Sequence, residues 1–269
     1  MSQEIRAYYE RGLEVDRLSE GAGVLEKART QALLARHLPA PPAVILDVGG
    51  GSGAYARWLT CQGYEVHLID ASPYLVAEAQ RVAREHPECA PASIAVGDAR
   101  KLDQPDDCAD AVLLLGPLYH LTERADRLAA LREAYRVLRP GGQVFAVGIS
   151  RFASTLDGLV SGHMDDPTFV HIARQDLQDG QHRNPTHDPR YFTTAFFHHP
   201  HELRAEVEEA GFRQGQLLAI EGPGWLLQNL AEQWADPDRR QRLLEAIGWL
   251  ETEPTLAGAS AHLMVIGCK

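Results

Sequence analysis

The sequence predicts an α/β protein built on a doubly wound parallel sheet, and three observations carry that prediction. Short, almost wholly apolar runs recur between Ala43 and Ser150 and alternate with stretches of helical periodicity. Strands that read as continuous apolar runs are buried on both faces, which parallel sheets covered by helices achieve. The first such run, AVILDVGGG from Ala43 to Gly51, breaks into glycines where a helix must begin. Finally, a chain of 269 residues with 45% hydrophobic and 23% charged residues suits one large domain with additions.

Each element follows in order. Residues 1–38 are polar and helix-prone, and the prolines at 39, 41 and 42 stop them. The core is expected over 39–150. After the glycines a short helix fills 54–62, and EVHLID at 65–70 is the second strand. Ser72 caps the next helix, with Pro73 at its first position and Leu75, Ala79 and Val82 on one face. ASIAVGD (92–98) and DAVLLLG (110–116) are the third and fourth strands. A helix over about 122–138 carries Leu128, Leu131, Tyr135 and Leu138 at helical spacing and stops at Arg139-Pro140-Gly141-Gly142. QVFAVGIS (143–150) is the fifth strand.

Residues 151–197 break the rhythm. They are rich in His, Asp, Gln, Pro and aromatics, and their length and composition predict a mobile lid inserted after the fifth strand. The core resumes over 198–269 with a helix at PHELRAEVEEAGF, a strand at GQLLAIEG, a helical insertion at 225–253 and a closing strand, AHLMVIGCK. His198 and His199 are expected to cap the helix begun by Pro200.

The net charge of −11 argues against a groove that tracks a nucleic-acid backbone. No apolar run reaches membrane-spanning length, and the first residues lack the apolar stretch of a secretion signal, so the expected setting is cytoplasmic without a membrane partner. Cys61, Cys89, Cys108 and Cys268 are scattered without metal-ligand spacing and read as thiols of a reducing compartment. No pair among the twelve histidines shows zinc-site spacing with a suitable partner, so no metal is expected.

Gly49, Gly50, Gly51 and Gly53 sit where strand turns into helix, which lets a ligand approach the backbone and the helix N-terminus. Asp70, nineteen positions after Gly51 at the end of the second strand, suits a ribose hydroxyl pair. Both features serve a nicotinamide cofactor equally well. The combination LDVGGGSG, LID, GDA at 97–99 and LRPGG at 138–142 is more specific. On these motifs the chain resembles the class I S-adenosylmethionine-dependent methyltransferases of the kind found in ubiquinone and menaquinone biosynthesis and natural-product tailoring. The resemblance covers about 25–150 and 200–220 well and the final strand more loosely.

The resemblance implies a Rossmann-like sheet of seven strands with the last antiparallel, and S-adenosylmethionine as cofactor. It implies that Asp47 and Gly49 to Gly51 line the methionine end, that Asp70 and the adjacent Ala71 hold the ribose, and that Asp98 and Ala99 read the adenine edge. Gly116 would face the sulfonium, and Arg29 would pair the cofactor carboxylate. Asp70→Ala is expected to weaken cofactor binding with little effect on folding.

For the chemistry, an acceptor hydroxyl or ammonium must lose a proton, and His is the usual base. His120 leaves the fourth strand at its carboxyl end, where open α/β sheets bind ligands, and Tyr119 stands beside it. His171, His182, His187 and Tyr191 are further candidates in the insertion, and Tyr8 and Tyr9 suit an N-terminal flap. The acceptor is expected to be a small metabolite or short peptide methylated on oxygen or nitrogen. No Asn-Pro-Pro-Tyr or Asp-Pro-Pro-Tyr follows the fourth strand, where enzymes acting on nucleobase or glutamine amines carry it. Phe169, Tyr191, Phe192, Phe196, Phe197, Trp225 and Trp234 are available to wall an apolar pocket. The rival readings are a nicotinamide-dependent oxidoreductase, which leaves GDA and LRPGG without a role, and a catalytically inactive cofactor-binding regulator.

Overall fold

The computed structural model describes residues 3–9, 12, 17–186 and 188–269. Two helices lead into the core, α1 (Gln3–Tyr9) and α2 (Gly23–His37). The first half of the core then alternates: β1 (Val44–Val48), α3 (Ala54–Cys61), β2 (Glu65–Asp70), α4 (Pro73–Glu85), β3 (Ser93–Val96) and β4 (Ala109–Leu114). A single helical turn, α5 (Pro117–His120), and the longer α6 (Arg124–Val137) lead into β5 (Leu138–Ser150). The LRPGG segment is thus the start of β5 rather than only a helix stop.

The insertion holds α7 (Ala153–Ser161), α8 (Pro167–Asp179), β6 (Gln181–His182) and β7 (Ala195–His198). The chain ends with α9 (Pro200–Glu209), β8 (Arg213–Ala219), α10 (Leu230–Ala235), α11 (Pro237–Leu250) and β9 (His262–Cys268).

The main sheet runs β3-β2-β1-β4-β5-β9-β8. β1 to β5 pair in parallel, and β9 is antiparallel to both β5 and β8. This is the expected Rossmann-like sheet of seven strands with the last in the chain reversed. A short β6–β7 ribbon joins it at the carboxyl end of β5, where Ile149 and Ser150 pair with Phe197 and His198. One apolar layer packs on each face, with Val112, Leu114, Val144 and Ala146 turned one way and Ala111, Leu113, Phe145 and Val147 the other. That is the period-two alternation of strands covered by helices on both sides. Strand order reverses between β1 and β4, so the crevice at their carboxyl ends is where the fold admits a ligand.

Three expectations change. The polar insertion is folded: Phe169, Ile172, Ala173 and Tyr191 form a small core of their own. Its apolar residues lie at helical spacing within a polar background, which composition alone hides. His198 ends β7 fully buried and caps nothing, whereas His199 is the expected N-cap of α9 and forms a capping box with Glu202, which accepts its backbone N–H. Cys61 and Cys89 form a disulfide, their Cα atoms 4.9 Å apart. The end of α3 and the turn after α4 meet in space, and a separation of 28 residues gives no sign of that. The inference of a reducing compartment therefore loses its cysteine support. No helix among the described residues is long and apolar enough to cross a membrane.

Candidate active site

The glycine turn forms the floor of a chamber at the carboxyl ends of β1, β2 and β4. Gly49 has φ +74° and Gly51 φ +58°, a region that side chains disfavour. A Cβ on Gly49 would also stand 2.6 Å from Cδ of Pro117. The turn is held from the side by Asp70, whose Oδ2 accepts the Gly51 N–H at 2.9 Å and whose Oδ1 accepts the Ser72 N–H at 2.7 Å. Each oxygen keeps a lone pair free. Burial pushes the Asp70 carboxyl above its usual range, and the two backbone donors pull it part of the way back.

Asp47 is 1% exposed, and neither oxygen makes a hydrogen bond of good geometry. Burial first, then the charge of Asp70, push its pKa up to about 7, and the Ala56 N–H offsets little of this. A buried carboxylate without donors is costly, which marks a place where a cationic group would be stabilised.

Asp47, Gly49, Gly50, Gly51, Asp70, Ala71, Asp98, Ala99, Gly116, Tyr119 and His120 all line this chamber. Asp98 is already engaged, its oxygens accepting from the Arg100 guanidinium at 2.6 and 3.0 Å, which lowers its pKa. Arg29 is not a lining residue. Its Nε donates to the Ile220 carbonyl at 2.9 Å and its guanidinium pairs with Glu251, so it ties α2 to the segments after β8 and α11. The expected pairing with a cofactor carboxylate is therefore corrected: the helix turns that side chain away from the crevice.

His120 is half-buried, and Tyr9 of α1 hydrogen-bonds its Nε2. Its Nδ1 has only the Thr194 backbone beside it, outside good hydrogen-bond geometry. Burial holds its pKa at about 4, so the ring is neutral at pH 7.

A second chamber adjoins the first, and Arg17 and Tyr119 belong to the walls of both. Its apolar wall includes Tyr8, Phe169, Tyr191, Phe192, Phe197 and Trp225. Phe192 has φ +62°, a strained backbone for a bulky residue, and its ring lies within 6.4 Å (centroid to centroid) of those of Tyr8, Tyr119, His120 and His182. The Tyr191 hydroxyl donates to Asp166 at 2.7 Å. His182 also lines the chamber, but Nδ1 faces Asp176 at 2.9 Å and Nε2 faces the Tyr191 carbonyl at 2.8 Å, so neither nitrogen is left for an acceptor. His171 is exposed on α8 and lines neither chamber, which removes it as a catalytic candidate. His187 lies outside the described residues. Phe196 is turned away beneath the Arg127 guanidinium, and Trp234 packs with Leu25 and Ile247.

Sequence reasoning missed a charged cluster between the chambers: Arg17, Glu26, Glu221 and His262. Arg17 grips Glu26 through two hydrogen bonds, and His262 Nδ1 donates to Glu221 at 2.6 Å. One signal was available, since His262 is the lone polar residue opening an otherwise apolar closing strand.

The fold and chambers define a protein that binds a ribose-bearing cofactor beside a separate, aromatic-walled cavity. A family model described as a methyltransferase domain matches residues 46–146. The ubiquinone/menaquinone biosynthesis C-methyltransferase UbiE of Proteus mirabilis is 30% identical over 175 residues, 63% of this chain and 66% of that protein. The chloroplastic 2-methyl-6-phytyl-1,4-hydroquinone methyltransferase of Arabidopsis thaliana is 33% identical over 138 residues, 48% of this chain and 39% of that one. The chain spans about half the length of the curated relatives it matches (45%, 66% and 39% of the first three). Among solved structures, phosphoethanolamine N-methyltransferase 2 of Haemonchus contortus, with S-adenosylhomocysteine bound, superposes with a TM-score of 0.61 at 15% identity, covering 100% of this chain and 61% of that one. Together these similarities support a class I S-adenosylmethionine-dependent methyltransferase, with the methyltransferase domain over residues 46–146. The family's cofactor is S-adenosylmethionine, and a glycine cradle, a ribose-facing carboxylate and a donor-less acidic group fit its ribose and its cationic methionine end.

Proposed function

We propose that this chain transfers a methyl group from S-adenosylmethionine to an oxygen or nitrogen of a small organic molecule or short peptide. The observation that carries the reading is the shared wall: the glycine-floored chamber and the aromatic-walled chamber meet at Tyr119 and Arg17. When bound, the cofactor supplies an activated methyl on a sulfonium. Asp70 accepts the ribose hydroxyls with its free lone pairs, and Asp47 stands where positive charge offsets its burial. Gly116 and Tyr119 border the opening through which an acceptor atom approaches. Tyr8, Phe169, Phe192 and Trp225 exclude water and hold a flat apolar body in place, so the chain contributes alignment. The acidic balance of the chain favours a small acceptor over nucleic acid.

His120 and Tyr9 serve this reading as a latch: a neutral imidazole accepting the Tyr9 hydroxyl closes α1 over the opening. A second reading, methylation of carbon, is favoured by the similarity to the Proteus C-methyltransferase.

The test is mass spectrometry on a cell extract incubated with the protein and methyl-labelled S-adenosylmethionine. A labelled product with stoichiometric S-adenosylhomocysteine supports transfer, and its fragmentation locates the methyl on oxygen, nitrogen or carbon. Cofactor binding without label transfer in any extract points to the inactive regulator.

A further inference from the structure

The charged cluster between the chambers is built around one imidazole. His262 opens β9 and lines the aromatic-walled chamber. Its Nδ1 is fixed at 2.6 Å from Oε1 of Glu221. Glu221 is itself immobilised, since its Oε2 accepts the Ser260 hydroxyl at 2.8 Å and the His262 N–H at 3.0 Å. Glu26 from α2 stands 3.8 Å from the same Nδ1, and Arg17 faces Glu26 from the other side. Nε2 makes no hydrogen bond among the described residues. A base within reach of the reacting group and oriented by a carboxylate is the arrangement that proton abstraction requires.

Of the histidines in the two chambers, His262 is the one so arranged. The ring of His120 is committed to Tyr9 and that of His182 to Asp176 and Tyr191. Glu26, Glu221 and His262 also lie close enough for a metal ion, with ligand atoms within 4.8 Å of one another. The Arg17 guanidinium already supplies positive charge there.

We propose that His262, oriented by Glu221, takes the proton of an aromatic hydroxyl group on the acceptor. This rests on the methyl-transfer reading above and names its substrate class. In the step, an electron pair on the hydroxyl oxygen forms the bond to the methyl carbon and the C–S pair returns to sulfur. The hydroxyl proton passes to Nε2, from which solvent removes it. The products are an aryl methyl ether, S-adenosylhomocysteine and a proton. The aromatic wall suits the flat body of such an acceptor.

The electrostatics support the assignment. Burial alone would lower the pKa of His262, but Glu26 and Glu221 outweigh both burial and Arg17 and raise it. The dyad therefore favours an imidazolium beside a phenolate.

The test uses 4-nitrophenol, whose absorbance reports its own ionisation, with protein saturated by S-adenosylhomocysteine and buffered about one unit below the dye's solution pKa. Wild-type protein is expected to bind the dye and hold it as nitrophenolate. His262→Gln is expected to retain dye affinity within about threefold while the bound dye becomes predominantly neutral, because Gln can hydrogen-bond but cannot take the proton. Glu221→Gln, which keeps a hydrogen-bond partner for Nδ1 without its charge, is expected to give an intermediate ionised fraction. Equal ionisation in wild type and His262→Gln assigns the charge to Arg17 and overturns the proposal. So does failure of the cofactor-saturated protein to bind the dye. Failure of S-adenosylhomocysteine itself to bind is a separate result, and it breaks the methyl-transfer reading instead.

Discussion

The two chambers share a wall but are built differently. The glycine-floored chamber is largely a backbone device: its glycines, strand ends and a carboxylate bound to two N–H groups come from residues 47–120, with Arg17, Glu26 and Ile220 closing its wall. The aromatic-walled chamber is a side-chain device, assembled from α1, the end of β5, the insertion, the segment after β8 and the start of β9. A backbone device needs particular residue types at fixed spacing, because Gly adopts a positive φ without the strain other residues pay and a strand end sets a carboxylate against the next turn. A side-chain device needs only large apolar groups that converge in space, and many sequences satisfy that.

This difference explains what the sequence revealed. The parallel strands, the glycine turn and the strand-end position of Asp70 were readable from local patterns, while the reversed last strand followed only from the family resemblance. Arg29 was misassigned because helical position does not say which neighbour a long side chain will find, and Glu251 lies 222 residues away. Glu221 and His262 went unnoticed for the same reason: they meet across 41 residues of sequence, and Glu26 joins them from α2. Tyr191 and His182 do line the aromatic-walled chamber, yet their polar atoms are spent on Asp166, Asp176 and a carbonyl.

The comparison can be broken at Asp70, where the largest effect is expected. Asp70→Ala should weaken cofactor binding by about 1.5–3 kcal/mol, the range for hydrogen bonds to a charged group. The structure adds a cost that local reading missed: the same carboxylate holds the Gly51 and Ser72 N–H groups, so the melting temperature should fall as well. Calorimetry with S-adenosylhomocysteine and thermal melts of the ligand-free protein check both halves. A loss of affinity without any loss of stability would separate the binding role from the structural one.

Asp47 sharpens the contrast by showing that the cofactor chamber sacrifices stability. Its folded pKa of about 7 lies well above the unfolded value of 3.8, so the folded state binds the extra proton. Stability contributed by this group is complete below about pH 4 and is lost as pH rises through about 7. Asp47→Asn should therefore stabilise the ligand-free protein by roughly 1–3 kcal/mol above pH 7, the cost of a buried group without donors, and leave it unchanged in acid. Urea titrations at several pH values measure this. Equal stability of the two proteins at alkaline pH would show that the carboxylate is better solvated than its surroundings imply.

The smallest effect is expected in the aromatic-walled chamber. Tyr191→Phe removes the hydrogen bond to Asp166 and should cost about 0.5–1.5 kcal/mol of stability, with cofactor affinity unchanged. A drop in cofactor affinity would mean that the two chambers are coupled more tightly than their shared wall suggests.

The central claim is that the glycine-floored chamber is made for S-adenosylmethionine. Isothermal titration of the purified chain with S-adenosylhomocysteine and, separately, with NAD tests it most directly. One equivalent of S-adenosylhomocysteine bound, with no heat from NAD, is the predicted result; tighter binding of NAD would contradict the account.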